Sequence, residues 1–398
     1  MEMAELTALL TPEGLRLLDS LASIGSVPDV ARTVSRLRAA GHSPDLVSAV
    51  VTQARLRERA RAKFGEFADR MLFTRAGLEQ ATRLSVAARH AGRFRDAGLT
   101  SVADLGCGIG GDALGLAGLG LEVDAVDADE VTAAIAAYNL APFGDAVRVR
   151  HGRAEASDLT AVDAVWLDPA RRTAGHAETA RTRPADWSPP LDWVFDLATR
   201  RPTGVKLGPG LDRALVPDDV EAQWVSADGS TIELVLWSGA LARPGVRRAA
   251  LVIRGDSAHE ITAAADAPDE PGRPLGAFLH EPDGAIIRAR LIGEVARALD
   301  AGMLDERIAY LTSDSALTSP FVASFRVRET LPADTKALGK ALRERGIGRL
   351  EIKKRGVDAD PAAVRKALKL RGEAEATLFL TRVGAERVAI LADRVPPA

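Results

Sequence analysis

The sequence predicts an α/β protein: an N-terminal helical region, a mostly parallel sheet of seven strands, and a small separate α/β domain at the C-terminus. Three observations predict it. No strand signal occurs before residue 100, where apolar residues recur at helical spacing. From residue 101, short apolar runs alternate five times with helical stretches, which implies βαβ units around a parallel sheet. A hairpin signal then closes the run, and alternation resumes only over residues 325–391.

The elements follow in order. Thr11-Pro12-Glu13 offers an N-cap and a proline at the first helical position, which starts a helix. A second helix runs over 44–67, carrying Arg55, Arg57, Arg59, Arg61 and Lys63, and a third over 76–94. Strands are expected at 101–105, 122–126, 147–150, 163–167 and 203–207. Two more, 222–227 and 231–237, flank the turn Asp228-Gly229-Ser230 and bring the count to seven. Pro and Gly at 244, 245, 271, 272 and 274 mark a less regular stretch, followed by a helix over 285–299 that Asp283-Gly284 caps. The last part reads strand 325–329, helix 334–345, strand 349–354, helix 361–370, and a hairpin of 377–381 with 387–391. The expected domains are therefore 1–96, 97–240, a connecting region 241–324, and 325–398. A chain of 398 residues has room for that number of domains.

Composition excludes several classes. A single cysteine, Cys107, leaves no disulfide framework or cysteine-based metal cluster. The six histidines show no ligand spacing, so no metal is expected. The acidic start Met1-Glu2-Met3-Ala4-Glu5 is unlike a signal peptide, and no run of about 18 apolar residues spans a membrane. The expected location is cytoplasmic. Nothing in the chain fixes an oligomeric state.

The net charge of −3 conceals a division. Residues 326–371 hold 14 Lys/Arg against 6 Asp/Glu, and residues 55–96 hold 11 against 5, leaving −17 on the remainder. Such basic segments are either the footprint of a polyanion or solvated helix faces.

The most informative segment is Val102-Ala103-Asp104-Leu105-Gly106-Cys107-Gly108-Ile109-Gly110-Gly111-Asp112, a strand, a glycine turn and a helix start. Gly106, Gly108 and Gly111 satisfy the dinucleotide fingerprint, a weak match alone. Asp104 argues against a pyrophosphate there, because like charges repel at short range. S-adenosylmethionine carries an ammonium, a sulfonium and no phosphate, so an acid suits it. Asp127, with Ala128 after it, ends the second strand where a carboxylate would hold ribose hydroxyls. His151-Gly152-Arg153-Ala154-Glu155 follows the third strand, and Glu155 is the candidate for the adenine side. Cys107 reads as a small filler with no partner base.

The second feature is Leu167-Asp168-Pro169-Ala170-Arg171-Arg172 at the fourth strand tip. Asp168 is the candidate to orient or deprotonate a nucleophile, helped by the Pro169 backbone. Arg171 and Arg172 suit a phosphate clamp or, equally, pairing with the acidic body. Lys206, at the fifth strand tip, faces substrate or makes a structural pair.

The motif D-x-G-x-G-x-G from Asp104 to Gly110 resembles motif I of class I methyltransferases, with the cofactor held by Asp104, Gly106, Cys107, Gly108 and Gly110. Five alternating strands closed by a hairpin likewise resemble the Rossmann-like seven-stranded methyltransferase sheet. Enzymes of that class that methylate exocyclic nitrogens carry Asp-Pro-Pro-aromatic or a close variant at the fourth tip. This chain departs from it with Ala170 and Arg171, which puts planar-amine chemistry in doubt. Phe73-Thr74-Arg75-Ala76-Gly77-Leu78-Glu79-Gln80-Ala81-Thr82, the glycine loop, the 167–172 stretch and the basic tail together resemble a bacterial methyltransferase family with a C-terminal THUMP-like domain. The resemblance implies S-adenosylmethionine as cofactor, an approach of Gln80 and Thr82 to it, and RNA as partner. In the tail, Lys336, Lys340, Arg343 and Arg345 recur at helical spacing, and Lys353, Lys354 and Arg355 end a strand, a pattern suited to phosphates. The expected function is methylation of a tRNA or rRNA base nitrogen. The alternatives are a small-molecule or protein acceptor, and a non-catalytic RNA-binding module that keeps the fold.

Overall fold

The first strand begins only at Ser101, and what precedes it is helical, as the sequence predicts. The computed structural model describes residues 1–21, 27–171 and 187–396. They fall into two units, Met1–Lys206 with Trp237–Ala242, and Leu207–Leu236 with Arg243–Ala398.

The first unit opens with α1 (Met3–Leu9), α2 (Pro12–Asp19), α3 (Val27–Ala39) and α4 (Pro44–Phe64). Thr11 Oγ1 accepts from the Gly14 amide and Ser43 Oγ from the Leu46 amide, so α2 and α4 each start on a capped residue followed by proline. The predicted 44–67 helix stops at Phe64, where Gly65 turns to φ 56°. The predicted 76–94 helix is two helices, α5 (Arg75–Gln80) and α6 (Leu84–Asp96). Lys63 explains the break. Its ammonium donates to the carbonyls of Leu78, Glu79 and Ala81 at 2.7–2.8 Å, closing α5 from outside.

The basic 55–96 segment is thus partly spent within the fold. Arg57, buried, donates to the Met71 carbonyl and to Asp19, and Arg61 pairs with Glu58 and Asp69.

There follow β1 (Ser101–Leu105), α7 (Gly111–Gly118), β2 (Glu122–Asp127), α8 (Glu130–Leu140), β3 (Val147–His151), β4 (Ala164–Leu167), a two-strand ribbon of β5 (Ala170–Arg171) and β6 (Trp187–Ser188), α9 (Leu191–Arg200) and β7 (Thr203–Leu207). β1 pairs in parallel with both β2 and β4, β2 with β3, and β4 with β7. In register, Leu105 stands opposite Val126 and Leu167, and Leu167 opposite Val205. The four strand ends are therefore level at one edge. Chain order reverses between β1 and β4, which is where ligands bind such sheets. Behind that edge Trp166, Trp237 and Phe94 are fully buried, with the two indoles 5.7 Å apart. Each such ring contributes about 2–3 kcal/mol by leaving water.

The second unit adds β8 (Glu221–Ala227), β9 (Ser230–Trp237), β10 (Arg248–Arg254) and β11 (Ser257–Ala263). The larger sheet has nine strands rather than seven. The two extra are β10 and β11, an antiparallel pair turned at Gly255-Asp256, inside the stretch expected to be irregular. The predicted 285–299 helix is α10 (Gly284–Ala289) and α11 (Ile292–Ala298), separated where Arg290 adopts φ 58°.

A seven-stranded sheet follows in the order β13–β14–β12–β15–β18–β17–β16. Its strands are β12 (Phe278–Pro282), β13 (Gly302–Asp305), β14 (Ile308–Ser313), β15 (Val322–Leu331), β16 (Ile347–Lys354), β17 (Ala374–Val383) and β18 (Glu386–Arg394). Its helices are α12 (Thr335–Glu344) and α13 (Pro361–Leu368), packed so closely that a Cβ on Gly339 would lie 2.9 Å from the Leu368 carbonyl. Phe325 and Phe379, with Tyr310, fill the core and stack no base. Among the described residues no helix is long and apolar enough to cross a membrane.

Candidate active site

The level strand ends gather the predicted residues around a pocket of about 600 Å³, within the range of small-molecule sites. Gly106 leaves β1 at φ 92°, and a Cβ there would meet the Asp168 carbonyl at 3.3 Å, so only glycine lets the β1 and β4 tips approach. Gly110, at φ 86°, caps the start of α7; it shapes the loop without lining the pocket. Cys107 is buried, and burial pushes its thiol well up, with Asp104 and Asp127 adding to the effect, which disfavours the thiolate.

Asp104 is the most unusual group. Both carboxylate oxygens are buried and accept no hydrogen bond from the described residues. Burial pushes its pKa well above the carboxylate range, reinforced by Asp112, Asp168 and Asp127 and opposed by Lys206. Asp127 accepts from the Gly108 amide and from the Asp129 amide, both at 2.9 Å; burial raises it against these bonds. Each of its oxygens keeps capacity for a further donor. Glu155 lines the same pocket and pairs with Arg153 at 3.1 Å.

On the facing side Lys206 Nζ lies 2.5 Å from Asp168 Oδ2, 3.7 Å from Asp112 Oδ2, and donates to Thr82 Oγ1 at 2.9 Å. Thr82 donates in turn to Asp112 at 2.7 Å, and His90 Nδ1 lies 2.9 Å from the other Asp112 oxygen. Burial would raise Asp112, but Lys206, His90 and Thr82 hold it down at about 2. Gln80, Ala128 and Pro169 also line the pocket.

Among the described residues, acids therefore outnumber cations on these walls: Asp104, Asp112, Asp127, Glu155 and Asp168 against Lys206 and Arg153. A pyrophosphate does not fit beside an unpartnered buried carboxylate. A ligand bearing an ammonium and a sulfonium does, because it supplies the donor that Asp104 lacks.

Two Mycobacterium tuberculosis proteins (strains CDC 1551 / Oshkosh and ATCC 25618 / H37Rv) are described as uncharacterized S-adenosylmethionine-dependent methyltransferases. Each is 36% identical to this chain over 360 residues, 88% of this chain and 96% of its own length. The chain belongs to the S-adenosylmethionine-dependent methyltransferases. A family model described as THUMP domain-like matches residues 322–394 of this methyltransferase, and one for a domain of unknown function matches residues 2–60. A crystal structure from Porphyromonas gingivalis W83, itself only provisionally called a methyltransferase, superposes with a TM-score of 0.70. It covers 93% of this chain and 99% of its own at 20% identity, a likeness of fold.

Some predicted residues of the methyltransferase lie elsewhere. Arg172 is outside the described residues, and Arg171 sits on the β5–β6 ribbon. Lys353, Lys354 and Arg355 belong to the second unit. There Lys353 pairs with Glu281 at 2.6 Å and Glu351 at 3.4 Å, and Arg355 lies over the Tyr310 ring, while Lys354 is exposed. Three residues at or beside the site escaped the sequence analysis as site residues: His90 and Asp112 of the Lys206 network, and Lys63, which donates to the carbonyls of Leu78, Glu79 and Ala81. Only Asp112 carried a signal, as an acid in the first turn after the glycine loop.

Proposed function

We propose that this methyltransferase acts on RNA, at a base nitrogen, with Asp168 at the acceptor. The observation that carries the reading is the place of Asp168: it directly follows β4 and lines the same pocket as Asp104 and Asp127. Asp104 meets the cofactor's ammonium, Asp127 accepts from its ribose, and Glu155 stands on the adenine side. When bound, S-adenosylmethionine supplies an electrophilic methyl carbon; its bond to sulfur breaks as the bond to the acceptor nitrogen forms, and the electron pair stays on sulfur as a thioether. Asp168 accepts the hydrogen bond of the acceptor N–H, aims the nitrogen lone pair, and receives the departing proton. Pro169 has no amide hydrogen and a fixed φ, so it sets the strand tip and offers its carbonyl as a second acceptor. Holding the two atoms about 3–3.5 Å apart supplies much of the acceleration.

The α12–α13 face supports RNA. Lys336, Lys340, Arg365, Lys366, Lys369 and Arg371 are exposed on or beside those two packed helices. By contrast Arg343 donates to the Leu368 carbonyl and Arg345 grips Glu329 with two bonds, so both are structural. Exposed cations on a small αβ module bind phosphates with little need for aromatic residues.

The test is tritiated methyl transfer into deproteinised total RNA from a strain lacking this gene, beside protein and small-molecule extracts. Label in RNA with wild type and none with Asp168→Ala is the expected result. Label only in another extract changes the acceptor class. Cofactor binding with no label anywhere makes the chain a non-catalytic binder.

A further inference from the structure

Part of the basic 55–96 segment is not spent within the fold. Arg55 and Arg59 lie on α4 and Arg75 opens α5, and all three are exposed. Among the described residues, neither Arg55 nor Arg75 has an acid or carbonyl partner for its side chain. Arg59 reaches Glu79 only at 3.9 Å, with both side chains 59% exposed, and such a pair contributes little. Residues four apart share a helix face, so Arg55, Arg59 and Lys63 form one row along the last turns of α4, advancing about 6 Å per step. The row ends where Lys63 donates to the carbonyls of Glu79 and Ala81. Gln80, Ala81 and Thr82 line the pocket, as Asp168 does. Two turns before Arg55 the same face meets an acid, since Ser48 donates to Glu5. The cationic row is therefore confined to the stretch of α4 that leads to the pocket wall.

We infer that α4 grips the RNA strand beside the acceptor nucleotide: Arg55 and Arg59, with Arg75 from the start of α5, hold backbone phosphates while the base enters the pocket. The inference rests on the RNA reading above and names the surface of the first unit that holds this substrate. The described pocket walls are acidic and repel phosphate. A strand that delivers one base there must hold its phosphates outside, and the exposed row beside the Gln80–Thr82 wall offers that place. A guanidinium suits the task, because it stays charged and its forked donors match phosphate oxygens. Lys63 takes no part in the grip, since its ammonium is committed to three carbonyls. Glu58 pairs with Arg61 on the neighbouring face. Glu79 lies one turn from Arg75 and next to Arg59, and three arginines around it leave the group net positive.

The test compares two double variants of the full chain. Arg55→Gln/Arg59→Gln removes two charges from the row, and Arg36→Gln/Arg38→Gln removes two exposed charges from α3. All four side chains are exposed, so both variants should fold as wild type does. The probe is deproteinised total RNA from a strain lacking this gene. Filter binding across a salt series reads affinity, and tritiated methyl incorporation into the same RNA reads transfer. In the row variant the plot of log affinity against log salt should flatten by about 1.4, for two phosphates of a single strand. Its KM for RNA should rise about tenfold with kcat and affinity for S-adenosylmethionine kept, because phosphate contacts hold ground and transition states alike. Adding Arg75→Gln should flatten the salt plot further, and the α3 variant should match wild type. RNA affinity and KM unchanged in the row variant overturn the inference, and so does an equal loss in both double variants, which would make the effect one of net charge. If wild type neither binds nor labels RNA, the RNA reading fails and the grip with it; labelling by wild type that the row variant matches removes the grip alone.

Discussion

Replacing Asp104 by asparagine should act in opposite directions on the empty and the cofactor-bound protein. Without cofactor both oxygens are buried with no partner among the described residues, and burial raises the pKa above its unfolded value near 3.8. Between those two values the folded state binds more protons than the unfolded state, so stability falls as pH rises through that window. Each tenfold gain in proton affinity on folding corresponds to about 1.4 kcal/mol of stability lost by pH 7. Asparagine does not titrate, so the melting temperature of Asp104→Asn should gain on wild type as pH rises from about 4 towards 7. The bound state reverses the sign. A hydrogen bond from a cation to a carboxylate is worth about 1.5–3 kcal/mol, so the variant should bind S-adenosylmethionine about 10- to 150-fold more weakly. Because the cation demands the ionised acid, wild type should release a proton on binding and bind more tightly at higher pH. Asp104→Asn should show a flat profile. Isothermal titration in two buffers of different ionisation enthalpy measures both quantities. Equal affinity of the two proteins for S-adenosylmethionine would refute the role given to Asp104.

Further perturbations separate the units. Lys63→Met removes the ammonium that closes α5 over three carbonyls, and should cost about 2 kcal/mol in urea unfolding and loosen the cofactor site. His280 is buried between the hydroxyls of Ser324 and Ser313, and burial lowers it to about 4. Its neutral form stabilises the fold fully above about pH 6.5, and about 3 kcal/mol is lost as pH falls to 4; His280→Gln should remove that slope from a pH series of thermal melts. Neutralising Lys336, Lys340, Lys366 and Lys369 together should flatten the dependence of log affinity for RNA on log salt by about 3 and leave cofactor affinity unchanged, as filter binding can show.

The gathering of the strand-tip residues around one pocket was legible because β1, β2 and β4 each lead into a local signal: the glycine turn, Asp127, and Asp168-Pro169. Their convergence follows from parallel pairing alone, since level strands put successive tips at one edge. The break between α5 and α6 was illegible, because Lys63 imposes it from 15 to 18 residues upstream. Charge counting misjudged single cations for a related reason. Arg57 and Lys353 look like parts of basic runs, yet each meets its acid far along the chain, at Asp19 and Glu281. The β10–β11 hairpin was hidden by the prolines and glycines on either side of it, though Gly255-Asp256 is itself a turn signal. The His90–Asp112–Thr82–Lys206 network spans 124 residues between its last two members, and no spacing rule reaches that far.

The central claim is that this methyltransferase modifies RNA through Asp168. Nucleoside mass spectrometry of total RNA from a strain lacking the gene tests it most directly, with complementation by wild type and by Asp168→Ala. The account predicts one methylated base missing from the deletion strain, returned by wild type and still missing with Asp168→Ala. An RNA nucleoside profile identical in all strains, while the purified protein methylates a protein or a small molecule, would contradict it.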